Sequence, residues 1–288
     1  MAVGSHQIET QAQVLSDALP PLLVAADKIA ATVMMGVHGL RRPGPGDHFW
    51  AYRPYSFGDS TQRIDWQKSA KSDQTFIREK EWEAANTLWL WVNLGPRMKF
   101  QSHLAKLTKL YHAQVLSLAI AQLALHAHER VGYLDGLTRA SHGRHMFETL
   151  AMTFAKADNG ALPKAQNQQR RSTGLFVSDF LEEPEALRQS FAPMAENGMR
   201  GHLVQVIDPA EEALPYDGRI EFLSMDMPQR FHSPKTQNLR DDYRTAFLQQ
   251  RELVQALAKK LGWSFSIHRT DHSLATAVLS LYEKMKLR

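Results

Sequence analysis

Apolar and polar positions follow two patterns along the chain, which meet near residue 86. From Leu88 onward, short apolar runs of strand length are separated by stretches with apolar residues three and four positions apart, the spacing of amphipathic helices. Such alternation predicts an α/β fold, with a mostly parallel sheet covered by helices. The predicted strands are Thr87–Val92, Arg130–Leu134, Thr173–Val177, His202–Ile207 and Trp263–His268.

Helices are predicted between these strands and near the N-terminus. The early apolar run "PLLVAADKIAATVMMGV" contains Asp27 and Lys28, which favour an amphipathic helix over a membrane span. The stretch "DPAEEALPYDGRIEFLSMD" predicts an insertion that carries a hairpin. The other predicted helices are Leu104–His128, Arg144–Lys156, Pro184–Asn197, Thr236–Leu261 and Leu274–Lys286.

The segment before residue 86 is rich in glycine, proline, arginine and aromatic residues. Its candidate binding residues are Arg53, Tyr55, Asp59, Asp65 and Trp66. Interleaved aromatic and basic residues are typical of single-strand nucleic-acid binding, but they also suit a packed structural block. Between residues 41 and 80, five acids oppose eight bases, so much of a cationic groove would be neutralised. We therefore favour the structural interpretation, with Trp66 largely buried.

Composition narrows the classes of function. The 288 residues are 43% hydrophobic and carry a formal charge of +4, which allows a sizeable core and gives only a mild preference for acidic partners. The absence of cysteine excludes disulfides, thiolate metal sites and cysteine nucleophiles. No phosphate-binding loop, nucleophile elbow or H-E-x-x-H motif occurs. The N-terminus lacks a basic start followed by an apolar run, so we expect a cytoplasmic protein.

Polar residues follow two of the predicted strands at the point where each ends. Asn93, Gly95 and Arg97 follow the first strand, and Ser178 and Asp179 end the third. Because ligands of open α/β sheets bind outside the carboxyl ends of the strands, these five residues are candidate binding residues.

Several sequence blocks together resemble one bacterial family. The order G-x-H-G-x-R-R-P-G-P-G, F-W-x-Y-R-P-Y, G-D and I-D-W-x-x-S-A resembles the domain-of-unknown-function 58 family, as do "GLFVSDFLEEPEAL" and "HRTDHSLATAVLSLY". The resemblance implies a von Willebrand factor A-like, Rossmann-type doubly wound domain over residues 87–288. It implies that residues 1–86 form an N-terminal helix and extension packed on that domain. It also implies a MoxR-type AAA+ ATPase as partner.

The same resemblance bears on metal binding. Related domains carry D-x-S-x-S after the first strand, whose oxygens hold Mg²⁺. Here the matching residues are Asn93, Gly95 and Arg97, so the metal-ion-dependent adhesion site is degenerate and only Asp179 remains as a candidate ligand. We expect no metal or other cofactor, and expect Arg97, paired with Asp179, to act as a tethered cation in place of Mg²⁺.

Simpler roles for these residues stay open. Asn93 could cap a turn, Arg97 could point into water, and Asp179 could cap the helix that begins near Pro184.

The expected function is that of a non-catalytic interaction or adaptor protein, which works with the ATPase in the assembly or maturation of an unidentified client. We expect no enzymatic activity, nucleic-acid binding or membrane span. Two alternatives remain: a divalent-metal-dependent binder or enzyme using the strand-end crevice, and a nucleic-acid-binding module within residues 41–78.

Overall fold

The computed structural model describes residues 21–35, 49–56, 61, 64–72, 74–80, 86–135, 138–156, 160–165, 172–226 and 228–285. These residues form two compact units. The first combines a helix, α1 (residues 21–35), with the described residues from 86 onward, and the second lies between residues 49 and 80. Packing of the aromatic and arginine-rich extension on the main domain stays a prediction.

The second unit is a small hairpin with one helical turn. Strand β1 (Phe49–Pro54) pairs antiparallel with β2 (Phe76–Lys80), and α2 (Trp66–Ser69) lies between them in sequence. The carboxylate of Asp65 caps α2 by accepting the Lys68 N–H at 3.0 Å, and the hydroxyl of Ser69 accepts the Phe76 N–H at 2.9 Å. These bonds tie the turn to β2. The sequence pattern did not predict either strand.

The prediction that Trp66 is largely buried is wrong, because its side chain is 68% exposed. Helix α2 is a single turn with no buried residue, and its N-cap and the Ser69 hydroxyl hold it by polar contacts. A turn held in this way does not require its tryptophan for packing, so an aromatic residue in the block is not by itself a sign of a core.

The first unit is built on a five-stranded sheet in which every pairing is parallel. All five predicted strands are present to within two residues at each end. They are β3 (Thr87–Val92), β4 (Arg130–Tyr133), β5 (Thr173–Ser178), β6 (Arg200–Ile207) and β9 (Ser264–Arg269). Their order across the sheet is β4-β3-β5-β6-β9, which is 2-1-3-4-5 in order of appearance, a common order in doubly wound sheets.

The helices of this unit also follow the sequence pattern closely. The helix that follows β3 begins at Lys109, five residues later than predicted. Thr108 takes the N-cap position and accepts the Tyr111 N–H at 3.1 Å. The helices are α3 (Lys109–His126), α4 (Arg144–Ala155), α5 (Pro184–Glu196), α6 (Pro209–Ala213), α7 (Arg240–Lys260) and α8 (Leu274–Met285). Short 3-10 turns occupy Pro96–Lys99 and Thr236–Leu239.

Helices cover both faces of the sheet, which explains why the sequence of strand β3 is continuously apolar. Leu88 and Leu90 pack into one core with α1, α3, α4 and α8. Trp89 and Trp91 point to the opposite core, formed with α5 and α7. A central parallel strand is buried on both faces, so it has no polar alternation.

The predicted hairpin lies between α6 and α7. Strand β7 (Ile220–Leu223) pairs antiparallel with β8 (Arg230–Ser233). Its apolar residues Leu223, Met225 and Phe231 are exposed. Among the described helices, none combines the length and the apolar character needed to cross a membrane.

A glycine in β6 makes room for the largest side chain of the second core. Trp263 stacks on Phe176 with ring centroids 5.0 Å apart and donates its indole N–H to the Met199 carbonyl at 3.0 Å. A Cβ added at Gly201 would lie 2.0 Å from the Trp263 ring. The ring is fixed on both sides, so it cannot retreat without losing these contacts.

We predict that Gly201→Ala lowers the free energy of unfolding by about 1–3 kcal/mol, the usual cost of overpacking a core. In a Trp263→Leu background the same change should cost much less, because the ring that it meets is gone. Urea denaturation of the four proteins measures this coupling. Equal costs in both backgrounds would show that the contact with Trp263 is not the cause.

Candidate functional site

The candidate site lies where the chain leaves adjacent strands toward opposite faces of the sheet. After β3 the chain passes to α3 on one face, and after β5 it passes to α5 on the other. The carboxyl ends of β3 and β5 are neighbours, so a crevice opens between the two connections. Asn93 and Asp179 are the first residues beyond these two strands, and both are buried.

Asn93 joins the two loops at the crevice. Its side-chain carbonyl accepts the Gly95 N–H at 2.9 Å, and its amide donates to the Ser178 hydroxyl at 3.0 Å and to Glu182 at 3.2 Å. An amide can do this because it both donates and accepts, whereas an ionised aspartate only accepts. Asn93 thus shapes a turn, as the simpler interpretation held, and also crosslinks the loops.

Gly95 is a glycine because two backbones meet there. A Cβ at Gly95 would lie 2.9 Å from the Asn93 side-chain oxygen and 3.0 Å from the Cα of Gly160, which follows α4. Gly160 has a positive φ of 74°, which favours glycine, and its own Cβ would lie 2.7 Å from the same oxygen. A side-chain hydroxyl at position 95 would not fit this contact.

Lys109 places its charge at the centre of the crevice. Its side chain is fully buried, and its ammonium lies 3.2 Å from Asp179 Oδ2 and 2.6 Å from Glu211 Oε1. The positive charge is therefore shared by an acid that follows β5 and an acid that follows β6. A buried ammonium is tolerated only when it is paired in this way.

The sequence analysis missed Lys109, although the sequence contains a signal for it. Lys109 is the first residue of α3, where the positive end of the helix dipole disfavours a cation on the surface. A lysine directly after a threonine N-cap therefore suggests an acidic partner elsewhere in the fold. The identity of that partner depends on contacts more than 60 residues away in the chain.

Glu211 is held in place by the start of helix α6. Asp208 and Glu211 form a reciprocal capping box, and Glu211 Oε2 accepts the Asp208 N–H at 2.9 Å. Asp208 Oδ2 also accepts the N–H of Ser102, which anchors the loop before α3. Burial raises the pKa of the Glu211 carboxyl, and the Lys109 ammonium opposes that rise.

Arg97 closes the crevice on its outer side. Its Nε lies 3.6 Å from Asp179 Oδ2, so the predicted pair is present, but the same atom lies closer to Asp226, at 3.1 Å. Its Nη2 pairs with Glu182. The side chain is 29% exposed, so it does not simply point into water. Lys109 rather than Arg97 is thus the fully buried cation beside Asp179.

Glu182 contacts both Arg97 and the Asn93 side-chain amide. Burial and the neighbouring Asp179 raise the pKa of the Glu182 carboxyl, while Arg97 lowers it. Its Oε2 is buried without a hydrogen-bond partner among the described residues. The Gln250 amide of α7 fixes the loop by donating to the carbonyls of Phe180 and Glu182.

Ser178 and Asp179 act within the same loop. The Ser178 hydroxyl accepts the Phe180 N–H at 3.2 Å, and the Asp179 carbonyl accepts from Gln205 at 2.9 Å. Asp179 does not cap α5, because Glu183 holds that position. The five predicted strand-end residues thus meet in one crevice.

The other predicted site residues belong to the second unit. There, Asp65 caps α2, and Tyr55 donates its backbone N–H to the Thr75 carbonyl at 2.7 Å. The backbone of Arg53 pairs with Ile77, and Trp66 is exposed as described above. Asp59 lies outside the described residues.

The crevice does not fit a magnesium ion. Asp179 is the remaining candidate ligand of the degenerate motif, and its carboxylate already contacts two cationic side chains. Within the described ranges, no group of three or more acidic or histidine side chains is arranged to hold a metal. The arrangement instead stabilises the loops by internal ion pairs.

A buried histidine pair joins α3, about one turn beyond Lys109, to strand β9. His112 Nδ1 and His268 Nε2, from β9, are 2.8 Å apart. One ring must donate and the other accept. The accepting nitrogen carries no proton, so at least one of the two rings is neutral. Burial lowers the pKa of each to about 4.

We predict that Lys109→Met lowers the free energy of unfolding by about 3–5 kcal/mol, because it removes the buried ammonium that pairs with buried Asp179 and partly buried Glu211. Lys106→Met is the matched control. Lys106 is exposed three residues earlier, and its replacement should change stability by at most about 0.5 kcal/mol. Urea denaturation gives both values.

The same crevice predicts how the wild type responds to magnesium. Millimolar MgCl₂ should leave its melting temperature unchanged, because cationic side chains already contact Asp179. A rise in melting temperature with MgCl₂ that disappears in Asp179→Asn would contradict this account of the crevice.

The histidine pair predicts loss of stability in acid. The unfolded chain takes up protons near pH 6.5, whereas the folded pair resists protonation down to about pH 4. The free energy of unfolding should therefore fall as the pH is lowered from 6.5 toward 4. His112→Gln should weaken this dependence, with the same change at exposed His142 as the control. Urea denaturation across this pH range tests it, and an unchanged slope in His112→Gln would exclude the pair as the cause.

Comparison with known proteins identifies relatives in two mycobacteria. The chain is 25% identical over 274 residues to the uncharacterized proteins Mb1516 of Mycobacterium bovis and Rv1480 of Mycobacterium tuberculosis, covering 89% of this chain and 85% of each relative.

Two solved structures match part of the chain at low similarity. They are the conserved hypothetical protein BatB from Bacteroides thetaiotaomicron, at 10% identity and a TM-score of 0.34, and an aerotolerance-related membrane protein from Bacteroides fragilis, at 11% and 0.39. Each match covers 70% of this chain and 100% of the other. At these TM-scores, neither supports an argument about this chain.

A family model described as "Protein of unknown function DUF58" matches residues 51–253. This match spans more than half of the chain, and the protein therefore belongs to the DUF58 family.

Proposed function

We propose that the protein is a non-catalytic interaction protein with a von Willebrand factor A-like main domain, acting as an adaptor for a MoxR-type AAA+ ATPase. The observation that carries the proposal is the Lys109 ammonium, which pairs with Asp179 and Glu211 in the strand-end crevice. A crevice filled by the protein's own cation offers a preorganised surface and needs no metal to form it.

The von Willebrand factor A-like assignment rests on where the site lies. Asn93, Gly95 and Arg97 occupy the loop after the first strand of a parallel sheet, as the resemblance implies, and Asp179 follows the neighbouring strand. The all-parallel sheet with helices on both faces agrees with such a domain. The MoxR-type partner comes from the resemblance alone.

The rim of the crevice supports a docking role. Arg97 pairs with Glu182 and with Asp226, and each acid has an exposed apolar neighbour, Leu181 and Met225 respectively. Apolar side chains beside charged groups on loops that a rigid sheet positions are typical of protein-binding surfaces. Two loops from different parts of the chain thus present one composite edge.

Metal-dependent catalysis is the less favoured alternative for this crevice. It would require Asp179 to exchange its cationic partners for a metal, leaving the buried Lys109 ammonium with only Glu211. Losing one partner of a buried ion pair is costly, so such an exchange opposes the stability of the fold.

Charge reversal at the two ends of α5 tests the docking surface. Glu183 is exposed at the crevice end of the helix, and Glu196 is exposed at the other end. We predict that Glu183→Lys weakens co-purification of the MoxR-type ATPase at least about fivefold, whereas Glu196→Lys leaves it within about twofold.

The two variants carry the same change on one helix, so net charge is matched. Their melting temperatures show whether each is folded. Equal co-purification of both variants would remove the support for the crevice face, and failure of the wild type to retain the ATPase would overturn the proposed partnership.

A further inference from the structure

The two edge strands of the central sheet differ in the backbone hydrogen bonding of their outer sides. At β4, Val131 exchanges two backbone hydrogen bonds of 2.9 Å with Ser141, so the loop after β4 covers part of that edge. At the other edge, no described strand pairs with the outer side of β9. An uncovered strand edge presents free donors and acceptors to any extended chain that reaches it.

The register of β9 identifies which backbone groups are free. The N–H of Thr270 donates to the Ile207 carbonyl of β6 at 3.0 Å. Successive residues of a strand direct their backbone groups to opposite sides, so the even-numbered residues face β6. The backbone groups of Phe265, Ile267 and Arg269 therefore face outward, and of these the Arg269 carbonyl already accepts the His272 N–H at 2.9 Å.

Beside this edge, a groove of about 640 Å³ lies between β9 and helix α8 and reaches Val204 of the neighbouring strand β6. Ser266 and His268 line it on the strand side, and Thr276, Ser280 and Lys284 line it on the helix side. The six residues of β9 span roughly 20 Å at the usual rise of a strand, which is the length of a short extended peptide. A strand edge beside a helix is the arrangement in which peptide-binding domains add a strand.

The groove also has a preferred charge. Lys284 donates to the Ser266 hydroxyl at 2.9 Å, and no carboxylate in the described part of the chain pairs with it. The acid that lines the groove, Asp271, is already bound by Arg269 through both oxygens, at 2.7 and 2.9 Å. No other residue that lines the groove in the described part of the chain is an acid, so the groove carries no unpaired negative charge.

We propose that the β9–α8 groove binds an extended segment of a partner protein by strand addition, and that this segment carries an acidic side chain opposite Lys284. The outward backbone groups of β9 supply the pairing, and the ammonium selects the acid. This surface goes beyond the proposed adaptor crevice, because strand β6 separates β9 from β5 and no crevice residue lines the groove.

The test uses a phage-displayed library of random twelve-residue peptides selected on the whole wild-type protein. Recovered peptides should alternate polar and apolar residues and be enriched in Asp or Glu at one position. Their affinities are then measured by fluorescence anisotropy with labelled synthetic copies.

Two substitutions at one position isolate the strand pairing. Ile267→Pro removes an outward N–H without removing a hydrogen bond to β6, and should weaken binding at least about tenfold. Ile267→Ala keeps the N–H and should bind within about twofold of wild type. Circular dichroism and melting temperature show whether the proline variant is folded.

The charge and the peptide backbone are tested separately. Lys284→Gln should weaken acidic peptides about two- to fivefold, as expected for an exposed ion pair, and should not affect copies with Gln in place of the acid. Alternate amides of an added strand face β9, and the others face away. N-methylation of the amides that face β9 should abolish binding, and N-methylation of the others should not. This result does not depend on the stability of the proline variant.

The proposal would be overturned if no binding peptide is recovered. It would also be overturned if the recovered peptides bind Ile267→Pro and Ile267→Ala equally.

Light scattering measures whether the protein pairs with a second copy of itself. A dimer of the wild type that Ile267→Pro abolishes would assign the edge to a second copy of this chain and would overturn the partner peptide. Glu183→Lys, at the crevice, should leave peptide binding unchanged, so failure of one surface is distinguishable from failure of the other.

Discussion

The structure depends on a positive charge buried where three connections of the sheet meet. Lys109 projects from the start of α3, Asp179 follows β5, and Glu211 lies in α6 after β6. Because an isolated buried ammonium would be strongly unfavourable, all three segments must be in place at once. The interaction therefore couples the helix on one face of the sheet to loops that lead to the other face.

The surrounding polar groups make this arrangement rigid by local bonding. Asn93 joins the loops after β3 and β5, the capping box of Asp208 fixes Glu211, and Gln250 holds the carbonyls near Glu182. A metal site changes its geometry when the ion leaves, whereas a lysine stays attached to the chain. The crevice is consequently held by side chains of the protein itself, and we expect its shape to be independent of the concentration of an ion.

The periodic part of the sequence was enough to predict the sheet, because a strand such as β3 is buried on both faces and reads as one apolar run. The residues after β3 and β5 were also placed at a common edge by the parallel arrangement alone. Lys109 was missed because its partners lie far away in sequence, and apolar periodicity carries no information on charge pairing. The prediction for Trp66 was wrong for a different reason. Its aromatic side chain suggested a core position, but polar contacts hold its helical turn and leave the side chain exposed.

The contrast between the edges of the sheet has a consequence for how copies of the protein can associate. Ser141 covers part of the β4 edge, and β9 is the strand whose outer side no described strand covers. Endless strand-to-strand growth requires two complementary open edges on every subunit, since each added copy must offer a new one. Among the described residues of the five-stranded sheet, only the β9 edge is without any bridge on its outer side, so pairing through this sheet should stop after a single addition. The fold can therefore keep a strand ready for recognition with less exposure to fibrous aggregation than a sheet open at both sides.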